Sequence, residues 1–235
     1  MKWDAQVFKR FIDRFQAAMG PKDIPIYVLG NHDKPRLASR IGDAATRTAA
    51  VMLLTLPGTP FIYNGEEIGM HNGVVPPDRA QDPVEKRGAT AEKSRDGERT
   101  PLQWSDAPQA GFSTAQPWLP VAGDYASRNI AGQLQDPGSL LSLYRQLTRL
   151  RRASDVLRLG EYRALATSHP AVFGFRRQYK GQELVVILNF SDQDLVCATT
   201  LKSGHVRLSS YLDSPVLTDP SQIALRPNEG MIIQL

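Results

Sequence analysis

Apolar residues change their spacing once along this 235-residue chain, near residue 160, and that change limits what the chain can fold into. Beyond it, "AVFGFRRQY", "QELVVILNF", "LVCATTL", "HVRLSSYL" and "MIIQL" alternate with period two, separated by "KGQ", "SDQD" and "KSG". Such alternation places every second side chain on one face, so these segments read as antiparallel strands of a sandwich. Before it, apolar residues recur at helical spacing or in short continuous runs. Val7, Phe8, Phe11, Ile12, Phe15 and Met19 mark an amphipathic helix ended by Gly20 and Pro21. "IPIYVL" (24–29) is a run suited to a strand buried on both faces. Residues 44–56 read as a helix capped by Asp43 and stopped by Pro57-Gly58, and "PFIYN" (60–64) as a second strand. Strands joined by helical crossovers imply an α/β sheet. A further helix is expected over 136–152, with Asp136 as its cap, Pro137 in its first turn, and one stripe of Leu140, Leu143, Tyr144, Leu147 and Leu150. The boundary between the two regimes falls near residues 153–165, and no internal repeat is present.

A chain of this length, 41% hydrophobic and 22% charged, supports one large domain or two modest ones. The net charge of +4 is spread among acids. Its densest basic run, Arg149, Arg151 and Arg152, reads as a solvated helix end whose cations oppose the macrodipole. No basic stripe with interleaved aromatics exists, so nucleic acid is not an expected partner. The N-terminus lacks a signal-peptide core, and no apolar run reaches the roughly 18 residues of a membrane span. Neither secretion nor a membrane partner is expected. Cys197, the only cysteine, excludes an internal disulfide and reads as a small buried thiol, so the expected compartment is cytoplasmic.

Residues 70–135 are rich in Pro, Gly, Asp, Gln and Arg, with Trp104, Phe112, Trp118 and Tyr125 scattered among them. A stretch of that length inside a domain is usually functional or disordered, and its aromatics argue for order.

Three stretches carry possible chemistry. In "IYVLGNHDKPR" (26–36), Asn31, His32 and Asp33 follow a strand, where α/β proteins place ligand-binding groups. Asn and Asp also favour turns, so a capped turn explains them equally well. In "LPGTPFIYNGEEIGM" (56–70), Tyr63, Glu66 and Glu67 again lie past a strand, although acids also suit a helix start. "RDGERTPLQWS" (95–105) offers Arg95, Asp96, Glu98, Arg99 and Trp104, which fit a sugar or phosphate site or plain loop ion pairs.

In this order the three stretches resemble glycoside hydrolase family 13, the α-amylase family, and especially its oligo-1,6-glucosidase and α-glucosidase branch. "VLGNHDKPR" looks like the stretch at the family's seventh barrel strand and "GTPFIYNGEEIGM" like that at its eighth. "RDGERTPLQWSDAPQAGFS" is similar to the branch's Arg-Thr-Pro-Met-Gln-Trp segment, with Leu102 in place of Met. The resemblance implies the C-terminal part of a (β/α)8 TIM barrel over 1–157, holding strands seven and eight with a long active-site loop, and an antiparallel β-sandwich over 158–235. It implies retaining cleavage or transfer of α-glucosyl units, which uses two carboxylates about 5–5.5 Å apart. Asp33 would be a third carboxylate that holds the sugar's 2- and 3-hydroxyls and stabilises the transition state. His32 would donate to the same hydroxyls, Arg99 would bind near the 4-hydroxyl, and Arg36 would pair with carboxylates or line the cleft. Asn31, Tyr63, Glu66 and Glu67 would support them.

The family's nucleophile Asp, in a Gly-x-Arg-x-Asp setting, and its acid Glu are not found. The resemblance therefore implies a C-terminal fragment, incomplete and inactive by itself. Asp33 with Glu66 or Glu67 as a self-sufficient pair is the lesser alternative. No cofactor or metal is expected in this chain; calcium is possible in a full-length parent, where the branch's acidic loop lies near the start. The expected substrate is an α-glucoside oligosaccharide such as maltose or isomaltose. Three rivals stand beside this reading. One is a transglycosylase or isomerase of the trehalose synthase or sucrose isomerase type. Another is a non-catalytic relative like the heavy subunits of amino-acid transporters. The third is a carbohydrate-binding sandwich using Phe173, Phe175, Tyr179, Phe190 or Tyr211, which their strand patterns instead assign to the core.

Overall fold

The computed structural model of the chain describes residues 2–20, 22–87, 94–213 and 215–235. Pro21, expected to help end the first helix, lies outside them. Contacts divide the chain into two compact units. One comprises residues 1–27, 47–61 and 145–235, the other residues 28–46 and 62–144.

In the first unit, helix α1 (Ala5–Ala18) begins at Asp4, whose carboxylate accepts from the Gln6 and Val7 amides. Strand β1 (Ile26–Val28) pairs with β2 (Thr59–Phe61). Between them in sequence run α2 (Leu37–Ile41), which belongs to the second unit and which the sequence reading missed, and α3 (Asp43–Thr55), one residue from its expected bounds, whose residues from 47 onward belong to the first. Asp43 does not cap α3 from outside: it is the first helical residue, and its carboxylate takes Arg128 and His71 instead.

The expectation that β1 is buried on both faces does not hold. Tyr27 is buried, with Phe15 edge-on to its ring at 5.9 Å and Gln16 donating to its hydroxyl at 2.6 Å. Ile26, whose side chain alternates to the opposite face, is 60% exposed. The apolar run is continuous, but α1 covers only one side of it.

The C-terminal part builds antiparallel sheets, as its alternation predicts. Strands β3 (Glu161–Leu165), β4 (Val172–Tyr179), β5 (Gln182–Asn189), β7 (His205–Ser209) and β9 (Gly230–Gln234) form one sheet in the order β3-β4-β5-β9-β7. Strands β6 (Leu195–Ala198) and β8 (Gln222–Leu225) form a second. Two of these seven strands, β3 and β8, lie outside the segments picked from sequence; both are short and half exposed, so their patterns are weak. Val185 and Ile187 of β5 and Met231 and Ile233 of β9 share one buried cluster with Cys197, Ile223 and Leu225. The buried-thiol expectation for Cys197 holds. Phe173 and Phe175 are fully buried, whereas Tyr211 is exposed beneath the Arg226 guanidinium, 3.9 Å from its ring centre.

Arg151 corrects the reading of the basic run as a solvated face. It lies on α6 (Leu140–Ala153) and donates to the carbonyls of Leu54 at 2.9 Å, Leu56 at 3.0 Å and Gly58. These are the carbonyls that the end of α3 and the following turn leave unpaired. Arg149 and Arg152 are exposed, as expected.

The second unit holds α4 (Pro83–Lys86), α5 (Ile130–Gln135) and several single 3-10 turns. The described residues of its segment 70–135 are held through buried polar groups more than through aromatics. Trp118 is 75% exposed, while Asp82, Asp96, Glu98 and Gln103 are buried. α6 is not capped by Asp136, which accepts from the Gly138 amide within the preceding turn. The cap is Ser139, whose hydroxyl accepts from the Ser142 amide at 3.1 Å and donates to the Gln133 carbonyl at 2.7 Å. Ser139→Ala is therefore expected to cost about 1 kcal/mol, more than Asp136→Ala, in urea unfolding midpoints.

Candidate active site

The turn after β1 is built by its own residues. Asn31 Oδ1 accepts from the Asp33 amide at 2.9 Å, and Asn31 bridges Lys34 through the backbone. The capped-turn explanation is thus correct for Asn31, and its consequence is to lift His32 and Asp33 outward. Their side chains are 67% and 48% exposed.

Asp33 is where the separate stretches meet. Its Oδ1 accepts from Arg99 Nη2 at 3.1 Å and Arg95 Nη1 at 3.3 Å, and its Oδ2 lies 3.4 Å from His32 Nε2. Arg99 also donates from Nε to the His32 carbonyl at 2.9 Å, so one guanidinium holds both the turn and its carboxylate. Desolvation pushes the Asp33 carboxyl up. The Arg95 hydrogen bond and the charges of His32, Arg95 and Arg99 outweigh it, so the group lies below the ordinary carboxylate value and stays ionised at neutral pH.

Arg36 does not pair with carboxylates. It is buried, and donates to the carbonyls of Asn64 at 2.6 Å and Thr100 at 3.3 Å, with its guanidinium 5.2 Å from the centre of the Tyr63 ring. Its backbone amide donates to Asn72 Oδ1 at 2.6 Å. Burial lowers its pKa, and the charges of Tyr63, Glu67 and Glu98 partly restore it. Arg36 thereby ties the residues after β1 to those after β2 and to the "RTPLQW" stretch. Tyr63 does the same from its hydroxyl, which donates to the Glu98 carbonyl at 2.9 Å.

Glu66 and Glu67 take no part in the hydrogen bonds of the Asp33 cluster. Glu67 accepts from the Gly65 amide at 2.9 Å. Glu66 is buried; its Oε1 accepts from the Tyr144 hydroxyl at 3.0 Å and its Oε2 has no partner. Burial raises Glu66 to about 7, against hydrogen bonds from Tyr144 and the backbone. Gly65 and Gly69, both at positive φ, allow the tight turn that carries these acids.

Sequence reasoning offered Arg95 only among residues that fit a sugar or phosphate site or loop ion pairs, gave it no assigned role in the site, and passed over Asp82. Asp82 is buried and clamps Arg95 through both its oxygens. "QDP" carries only a turn signal, and nothing in a spacing of thirteen residues marks such a pair.

The α-amylase catalytic-domain family model matches residues 1–160. Among curated proteins, the chain is 30% identical to an oligo-1,6-glucosidase of Parageobacillus thermoglucosidasius, covering 99% of this chain and 46% of the relative. It is 33% identical to a trehalose-6-phosphate hydrolase of Escherichia coli, covering 86% of this chain and 41% of the relative. Among solved structures, the trehalulose synthase MutB from Pseudomonas mesoacidophila superposes with a TM-score of 0.87 at 31% identity, covering 98% of this chain and 46% of that one. The chain thus spans just under half the length of these relatives. Among the described residues no helix is long and apolar enough to cross a membrane. Across the stretch that brings Asp33, His32 and Arg99 together, the chain matches the catalytic-domain model, and it belongs to the α-amylase family of glycoside hydrolases.

Proposed function

We propose that this chain is the C-terminal portion of a retaining α-glucosidase acting on short α-glucosides such as maltose or isomaltose. In that reading residues 1–157 are the end of a (β/α)8 barrel and 158–235 an antiparallel sandwich. Asp33 binds the 2- and 3-hydroxyls of the glucosyl ring and stabilises the transition state. His32 donates to the same hydroxyls, and Arg99 binds near the 4-hydroxyl. Asn31, Arg36, Tyr63, Glu66 and Glu67 support the site. The observation that carries the reading is the exposed Asp33 carboxylate, kept ionised between His32, Arg95 and Arg99 at the end of β1. Hydroxyl hydrogen bonds to such a carboxylate strengthen as positive charge develops on the sugar ring.

The nucleophile and the acid/base belong to parts of the family fold this chain does not supply, and the chemistry they perform needs no cofactor. A cytoplasmic setting is part of the same proposal, supported by the buried, unpaired Cys197. The isolated chain is expected to release no p-nitrophenol above background from p-nitrophenyl α-glucoside, while methyl α-glucoside perturbs the NMR signals of His32 and Asp33. Turnover that Asp33→Asn abolishes would refute incompleteness. Unperturbed His32 and Asp33 signals would refute the sugar-binding role.

A second reading, a transglycosylase or isomerase, draws support from the likeness to trehalulose synthase structures, with TM-scores up to 0.88. Both readings use Asp33 in the same way.

A further inference from the structure

We propose that Asp82 is a positioning residue for the sugar-binding carboxylate: its two-oxygen clamp on Arg95 holds that guanidinium against one oxygen of Asp33 and leaves the other to the ligand. The inference rests on the reading of Asp33 as a sugar-hydroxyl acceptor.

Among the described residues, Asp82 spends three of its four hydrogen bonds on Arg95. Its Oδ2 accepts from Arg95 Nε at 2.7 Å and from the Arg95 amide at 2.8 Å. Its Oδ1 accepts from Arg95 Nη2 at 2.9 Å and from the Val84 amide at 3.1 Å. Two parallel bonds between a carboxylate and a planar guanidinium fix direction as well as distance. The nitrogen left over, Nη1, is the one that reaches Asp33 Oδ1. Asp82 is itself held from behind. Asp96, also buried, accepts from the amides of Gln81 at 2.6 Å and Asp82 at 2.9 Å. A line of polar contacts therefore runs from the loop interior to the exposed turn, through Asp96, the 81–82 backbone, Asp82, Arg95 and Asp33.

The consequence lies in which Asp33 oxygen is left to a ligand. Oδ1 receives both arginines, and Oδ2 faces His32 Nε2. A carboxylate pinned at one oxygen cannot rotate freely, so the other is already aimed when a hydroxyl arrives, and less ordering remains to be done on binding. Loss of the clamp frees Arg95 to turn toward water, where an exposed ion pair with Asp33 contributes little.

The test uses the whole chain and follows the Asp33 carboxyl by carbon-detected NMR titration, with methyl α-glucoside as the sugar probe. Asp82→Asn is expected to move the Asp33 titration upward and to weaken methyl α-glucoside binding roughly tenfold, the scale of one hydrogen bond to a charged group. In an Arg95→Gln background, Asp82→Asn is expected to leave Asp33 where Arg95→Gln alone put it, because Asp82 acts through Arg95. A loss of packing would move Asp33 in both backgrounds, and that result overturns the proposal, as does an Asp33 unmoved by Asp82→Asn. Should Asp82→Asn lose its near-ultraviolet circular dichroism, Arg95→Lys decides: it keeps the charge but not the fork. Asp33 must then titrate higher, and an unmoved Asp33 refutes the clamp. The carboxyl titration needs no sugar. Failure of methyl α-glucoside to bind the wild type therefore counts against the proposed function, separately from the clamp.

Discussion

Gly58→Ala is expected to destabilise the first unit by on the order of 4 kcal/mol or more, among the larger effects a single methyl group can have. Gly58 has a φ of 98°, and a Cβ there would stand 2.2 Å from the Pro25 carbonyl oxygen. That oxygen already accepts the Thr59 amide at 2.8 Å, the bond that brings the start of β2 to β1. Backbone cannot yield as a flexible side chain does, so the strands must separate or the turn must break. The Gly58 carbonyl also takes a bond from Arg151, which a broken turn would lose. Gly181→Ala is the control. It shares the positive φ, at 80°, but a Cβ there meets nothing within 4 Å. It should lose only about 1 kcal/mol, the strain of the backbone conformation. Urea unfolding of the two variants separates conformational strain from collision; equal losses would refute the close approach of β1 and the Gly58 turn.

The second large effect is a pH dependence. Glu66 has its pKa raised from 4.5 to about 7 in the folded chain. The folded state then holds that proton more tightly than the unfolded state does. Its stabilising contribution is complete below about pH 4.5 and is lost as pH rises through 7. Unfolding free energy of the second unit is expected to be roughly 2–3 kcal/mol lower near pH 8 than near pH 5 on account of this group. Glu66→Gln removes the titration while keeping an acceptor for the Tyr144 hydroxyl. Its stability should exceed that of the wild type near pH 8, and the difference should shrink near pH 5. Parallel pH curves for the two proteins would mean that Glu66 titrates normally. The residue lies against the start of the functional turn: a Cβ at Gly30 would stand 2.9 Å from Glu66 Oε2.

Periodicity made the strands legible. Alternation in "QELVVILNF" predicted β5 within one residue, because each side chain's face in a strand depends only on its position along that strand. The same argument misled at "IPIYVL". A continuous apolar run states that both faces favour burial, but not that a partner covers each, and Ile26 remains open. Arg151, and Asp136 in place of Ser139 as the cap of α6, were misread for a related reason. A helix end presents several donors and acceptors within one turn, and which side chain meets them depends on approach angles that composition does not encode.

At the site, sequence determined the cast and tertiary structure the contacts. The stretches carrying Asn31, His32, Asp33 and Arg99 identify the family by their order along the chain, which needs no coordinates. Only the fold decides that Arg95 and Arg99, more than sixty residues from Asp33, share one of its oxygens. It decides as well that Arg36 meets carbonyls rather than carboxylates, and that Glu66 is buried with one oxygen unpartnered. The physical reason is range. A turn or a strand is set by neighbours a few residues away, whereas an ion pair across a long loop depends on the path of every residue between.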